Sequence, residues 1–325
     1  MVMKVIRNVH KALLVIAILV VNRATAAGGD GALIELKKSY SKSYSLGANE
    51  KVSFDHQFGA LNIHTWDKNE VKTEVNITVS SDDEEYARSV LEAITIDDGR
   101  NGNGVYFKTN IGAIRKKSSR GHNKENRNIT YDVYLPAVNP LNVEMQFGST
   151  SIGDYRGPIN IRQEYGSLSA GNLANVKQIT STYGSATING IANGKLVLEY
   201  GDARVSSISG NVSLQVSFCQ LRAGVTNEIK NLDINCQYGD VQMSIADNIN
   251  ASFNVRTSYA ELKNKGSIKF VKEKEDSGPG PVFDHVYNAV NGNGAAKIKV
   301  KSEFTAVTIG ANLPMEKNKK KERSI

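Results

Sequence analysis

The sequence predicts an all-β protein whose body is a parallel β-solenoid, preceded by an N-terminal β-rich cap containing one helix. Three observations predict it. An aromatic residue, usually followed by glycine, recurs at a near-constant interval; apolar residues alternate with polar ones around each such pair; and turn glycines separate the alternating runs.

The interval comes first. The chain reads Phe147-Gly148, Tyr165-Gly166, Tyr183-Gly184, Tyr200-Gly201, Phe218-Cys219, Tyr238-Gly239 and Tyr259-Ala260, at steps of 18, 18, 17, 18, 20 and 21 residues. The third and fifth residues after a ring are aliphatic or small, as in Leu168 and Ala170 or Ala203 and Val205. A turn follows, marked by Gly157, Gly194 or Gly210, and then a second alternating run such as Leu196 and Leu198. Eighteen residues at ~3.3 Å make a closed path of about 60 Å, too short for a strand-helix repeat and suited to one flattened coil. Successive coils would stack ~4.8 Å apart. A propeller blade needs about forty residues. An antiparallel sandwich explains the alternation but not the fixed position of the rings.

Open solenoid ends need covering. Residues 33 to 80 read as strands with apolar residues at Ile34, Leu36, Val52, Phe54, Leu61, Ile63, Trp66, Val71, Val75, Ile77 and Val79. Ser81 with Glu84 reads as a capping box for a helix over 82–94, whose face is Tyr86, Val90, Leu91 and Ile94. Two strands follow, around Val105 to Thr109 and Ile129 to Leu135, then Pro136 and Pro140. Beyond a Gly/Pro-rich segment at Ser277 to Pro281, Ile298, Val300, Phe304, Val307 and Ile309 repeat the coil pattern and are expected to close the far end. The expected organisation is a signal peptide over 1–26, a capping region over 27–140, coils over 141–271, a loop and closing strands over 272–314, and a disordered basic tail over 315–325.

Lys4, Arg7 and Lys11, an apolar run from Ala12 to Val21 and the triplet Ala24-Thr25-Ala26 have the order of a secretory leader cleaved after Ala26. No cysteine follows for lipid attachment, and no later run reaches the length of a membrane span. The formal charge of +7 divides into +4 in the leader and +3 in the tail, leaving a neutral body. Nucleic-acid binders carry a basic patch on the domain itself, so that class is excluded as an expectation. A basic loop from Arg115 to Arg127 reads as solvated, with contact to anionic lipid or polysaccharide as the alternative. Cys219 and Cys236 lie about 10 Å apart along the coil register, beyond the reach of a disulfide, and are expected as buried thiols.

Candidate chemistry is sparse. The structural aromatic ladder Phe147, Tyr165, Tyr183, Tyr200, Phe218, Tyr238 and Tyr259 is the most regular feature. Rings turned inward would cement the core; rings turned outward would offer a platform to sugars, and the inward reading is the stronger because small residues adjoin the bends. Asp202 and Asp240 share one coil position, but Gln220 interrupts them, so no metal ladder is expected. His56 and His64 flank Phe58-Gly59 and would lie some 26 Å apart on one face of a straight strand. No catalytic motif stands in its required context, and neither a cofactor nor a metal is expected. The sequons at Asn76, Asn128, Asn211 and Asn250 are read as chance matches.

The stretch Phe54-Asp55-His56-Gln57-Phe58-Gly59-Ala60-Leu61-Asn62-Ile63, the run Trp66 to Val71, the segment Tyr131 to Pro136, the Y-G coils and the closing Gly292-Asn293-Gly294 resemble exported bacterial adhesin-like proteins. That family is described as β-strand-repeat or autotransporter-adhesin head domains, common in Bacteroidetes envelopes. The resemblance implies a single-stranded, right-handed β-helix and a periplasmic or cell-surface role, and lends no catalytic residues. The expected function is a structural, adhesive or ligand-presenting envelope protein, its partner a polysaccharide or an envelope protein. The alternatives are a periplasmic sensor or partner of a membrane regulator, and a polysaccharide-active β-helix enzyme.

Overall fold

The computed structural model describes residues 20–23, 33–114, 125–274 and 283–315. At the near end lie β1 (Val20–Arg23), β2 (Ile34–Ser45), β3 (Val52–Trp66), β4 (Glu70–Ser81), α1 (Glu84–Ala93), β5 (Ile94–Asn101), β6 (Gly104–Ile111), β7 (Glu125–Pro136) and β8 (Leu141–Ile152). One extended run, β9 (Tyr155–Ile245), then winds through 91 residues. The far end holds β10 (Ala251–Ser258), β11 (Leu262–Asn264), β12 (Val271–Lys272), β13 (Asp284–Asn291) and β14 (Ala296–Gly310). The protein is all-β but for α1, and its strands join in one open, mixed sheet in the spatial order β1, β2, β4, β7, β3, β8, β9, β14, β10, β13, β12.

β3 is the first rung and shows why the chain turns. Val52, Phe54 and His56 point inward, then the buried set shifts by one to Leu61 and Ile63. The shift is made at Phe58, whose φ of 62° lets two consecutive residues leave the core. β8 repeats β3 in parallel register, with Val52 beside Leu141 and Gly59 beside Gly148. β9 repeats β8 eighteen residues later, with Leu141 beside Ile159 and Gly148 beside Gly166. Each coil buries a ring of small aliphatics, such as Leu168, Ala170, Leu173, Val176 and Ile179. Burial of each larger aliphatic contributes about 1.5–3 kcal/mol against the ordering cost of the extended chain.

The cap uses both arms of β3. The β5–β6 hairpin lies on the first arm, with Val52 beside Val105; β7 lies on the second, with Leu61 beside Tyr131. β4 and β2 continue outward from β7 as antiparallel strands. α1 packs Ala87, Val90 and Leu91 inward, while Tyr86 is half-buried and donates its hydroxyl to Glu125.

Several expectations are corrected. The winding is not one uninterrupted parallel helix: β2, β4 and β7 pair antiparallel, and so do β10 and β13. The closing run does not sit beyond the last coil. β14 inserts between β9 and β10, with Ile298 beside both Leu232 and Phe253, because its alternation matches both neighbours. The helix is capped by Asp83, whose carboxylate accepts from the Tyr86 amide at 3.0 Å, and not by Ser81, which remains in β4. β5 was not read in the sequence, since Asp97, Asp98 and Gly99 are poor strand formers. Their place is fixed from outside: the Asp98 carboxylate accepts hydrogen bonds from the Tyr40 and Tyr44 hydroxyls of β2. Residues 115–124 of the basic loop, most of the expected leader, the segment Ser277 to Pro281 and the tail from Glu316 lie outside the described residues.

Candidate functional site

Each coil corner is made by the aromatic residue and the one after it. The φ angles of Phe58, Phe147, Tyr165, Tyr183, Tyr200, Phe218, Tyr238, Tyr259 and Phe304 lie between 49° and 62°, a region that bulky residues rarely enter. The following position is tight: a Cβ on Gly166 would stand 1.7 Å from the Gly148 carbonyl oxygen, and one on Gly184 1.8 Å from that of Gly166. Hence the aromatic-glycine pair.

Rings at these corners stand on one line. The order is Phe58, Phe147, Tyr165, Tyr183, Tyr200, Phe218, Tyr238, Phe304, Tyr259 and Phe283, with adjacent centroids 4.6–5.2 Å apart and planes within 22°. The Arg127 guanidinium lies 5.2 Å over Phe58 and covers the near end. Stacking is worth about 0.5–1.5 kcal/mol per pair. A left-handed backbone costs about 1–2 kcal/mol per residue. The two nearly cancel, so the stack fixes the corners more than it adds stability.

The rings do not point inward. Those from Phe147 to Tyr259 along the stack are 42–55% exposed. The left-handed corner turns both its residues off the core, which corrects the inward reading. The sugar-platform alternative is altered too, because parallel rings cover one another's faces and leave edges and tyrosine hydroxyls in water. The ladder is a ridge. Phe58 was legible as a further aromatic-glycine pair and Phe304 by its Val307 and Ile309; Phe283, just before β13, carries no such signal.

Beside the ridge, the outward residues just before each ring form a polar face. Three concavities of about 830, 630 and 150 Å³ follow it from Asp55 to Gln237. The first two share Glu144, Arg162 and Glu164; the last two share Val197, Glu199 and Gln215, so they adjoin one another in a row, the trough, along the coil axis. Equivalent side chains bond between coils: the Gln146 amide donates to Glu164 at 3.0 Å, and Asn160 to Asn142 at 2.7 Å. Glu164 also pairs with Arg162 at 2.6 Å, and Asp55 with Lys108 at 2.7 Å. Amides, hydroxyls and paired charges at a repeat of about one strand spacing can hydrogen-bond an extended polar polymer. A separate cleft of about 700 Å³ lies under Trp66, with Asp154, Arg156 and Asn172 beside Ala174 and Gly190.

The remaining candidates separate. His56 is buried, bonded to the Thr109 hydroxyl and the Ile129 carbonyl at 2.9 Å each, whereas His64 stacks outside on Tyr134 at 5.0 Å. The bend at Phe58 puts them on opposite faces. Asp240 has Ala306 of the inserted β14 as its register neighbour, which isolates it further from Asp202. Cys219 and Cys236 are free and buried; burial raises their pKa to about 11 and about 12, so both are unreactive thiols.

A family model described as Toastrack DUF4097 matches residues 68–310, most of the chain. The chain belongs to the Toastrack family. No curated protein matches it. Solved structures similar to this Toastrack chain include a candidate adhesin from Bacteroides fragilis, at 10% identity over 84% of this chain and 97% of that one, with a TM-score of 0.44. A candidate adhesin from Parabacteroides distasonis has 11% identity, coverage of 86% and 98%, and a TM-score of 0.33. A candidate cell adhesion protein from Clostridium sporogenes has 14% identity, coverage of 85% and 100%, and a TM-score of 0.24. Among the described residues, no helix is long and apolar enough to cross a membrane.

Proposed function

We propose that this Toastrack protein is exported to the periplasm or cell surface and acts there as a structural, adhesive or ligand-presenting solenoid without catalysis. One observation carries the reading: a row of polar hollows follows the coils beside a ridge of stacked rings. Such a surface offers many weak, repeated hydrogen bonds to a polymer or to an envelope protein. The coils are taken to wind right-handed, the hand of about 98% of parallel crossover connections, with the first 26 residues removed on export. Fractionation of cells making a tagged copy should recover the protein outside the cytoplasm. Immobilised bacterial or host glycans should retain it, less well when Gln146 and Arg162 are both changed to alanine. Cytoplasmic recovery, or no retention at low salt on any glycan or envelope fraction, overturns the proposal.

One observation favours a second reading. Asp55, Glu92, Glu144 and Glu164 line the near end of the trough, and paired carboxyls are what polysaccharide hydrolysis requires. Two of the four are held by Lys108 and Arg162, which makes binding the better supported use.

A further inference from the structure

The far end of the same face differs from the rest. On β14, Lys297, Lys299 and Lys301 occupy alternate, outward positions, each exposed and about 7 Å from the next. Arg256 of β10 is the register neighbour of Lys301, so two like charges lie one strand spacing apart. None of these four cations has a carboxylate within ion-pair distance among the described residues. Asp233 stands beside Lys299 in register without closing on it. Other carboxylates nearby are engaged elsewhere: Glu303 accepts from Gln237, Asp284 from Ser258 and Glu273 from Asn288.

Aliphatic side chains stand on this face next to the cations. Val290, in register with Ser252, is 71% exposed, and Val271, in register with Asn288, is 69% exposed. A depression of about 290 Å³ joins the two groups, lined by Lys297, Lys299, Asn254, Asn288 and Val290. Unpaired cations in a flat lattice, bordered by projecting aliphatics, match an anionic bilayer surface: phosphates meet the lysines and the valines enter the interface. A hydrated acidic polysaccharide would satisfy the charges but leave the valines in water.

We infer that this patch docks the far end of the solenoid on an anionic membrane surface. At the near end of the face Asp55, Glu92, Glu144 and Glu164 outnumber Lys108 and Arg162, so that end is net negative and repelled by the same surface, and the molecule attaches by its far end. The docking does not rest on the adhesive reading, since lipid binding is measured apart from export and glycan retention.

Co-sedimentation of the full chain with vesicles of phosphatidylglycerol and phosphatidylcholine tests it, with pure phosphatidylcholine vesicles and soluble polygalacturonate as comparisons. The protein should bind the anionic vesicles and leave them at high salt. Changing Lys297, Lys299 and Lys301 together to glutamine should weaken this binding roughly 100-fold, at about fivefold per charge. Val271→Ser with Val290→Ser should weaken vesicle binding and leave polygalacturonate binding unchanged. All five substituted positions are exposed, so circular dichroism should find the variants folded. Vesicle binding that survives the triple change overturns the inference. So does polygalacturonate binding that falls with the lysines while the valine change has no effect on vesicles, which would mark the patch as a polysaccharide site.

Discussion

His56 is kept uncharged by its surroundings. The Ile129 carbonyl can only accept, so Nε2 carries the proton, and Nδ1 accepts from the Thr109 hydroxyl, which in turn accepts from Tyr131 at 2.8 Å. Burial lowers its pKa to about 4, opposed by the Ile129 bond and by Asp55. With the folded value below the unfolded one, the unfolded chain binds the extra proton first as pH falls. The contribution is therefore complete above about pH 6.5, is lost between about 6.5 and 4, and is worth at most about 3 kcal/mol. Urea midpoints at about pH 7 and about pH 4.5 should differ less for His56→Gln, which keeps both hydrogen bonds, than for the natural chain. An equal acid loss in both would place the sensitivity elsewhere. The histidine's fate was hidden in the sequence because the straight-strand reading put it on the face of His64. Yet Phe58-Gly59 is the same pair that marks every coil corner, so the bend was written there.

At the scale of the strand and the coil, the corner carries the fold. Tyr183 stacks on Tyr165 at 4.9 Å and on Tyr200 at 4.8 Å while its backbone stays left-handed. Removing the ring loses two stacks and keeps the strain. Tyr183→Ala should thus cost about 1–3 kcal/mol in urea unfolding. Tyr183→Gly should cost less, because glycine accepts the positive φ, and Tyr183→Phe should be nearly neutral. If glycine proved worse than alanine, the strain assigned to the corner would be wrong. The spacing and the strands were legible because the alternation and the interval are local. What was missed has two causes: β5 is held by Tyr40 and Tyr44, far along the chain, whereas the cap at Asp83 is local and Ser81 with Glu84 mimic it in sequence. The outward turn of the rings followed from a dihedral angle, and hydrophobicity gives no sign of one.

For the molecule as a whole, the inserted strand decides cooperativity. Leu232 meets Ile298 across 66 residues of chain, and Phe253 meets Ile298 from the other side. The ladder crosses the same junction, from Tyr238 through Phe304 to Tyr259. The sequence showed that residues 296–309 repeat the coil pattern, but a pattern that fits the outside of the last coil also fits a gap between two coils. Only the pairing chooses between them. A chain ending at Lys274 therefore loses more than an end. β10 has no partner left, and β9 exposes an edge running from Asn231 to Ser244. Unpaired edges of that length invite association with other chains. The truncated protein should be cut by protease near Asp247 to Asn250, where the full chain holds Asn291 bonds to the Asp247 and Ile249 carbonyls. It should also associate in a concentration-dependent way on gel filtration. A truncated chain that remains monomeric and protects residues through Ser258 would mean that β10 can pack on β9 directly, and that β14 is a lid on the solenoid instead of one of its rungs.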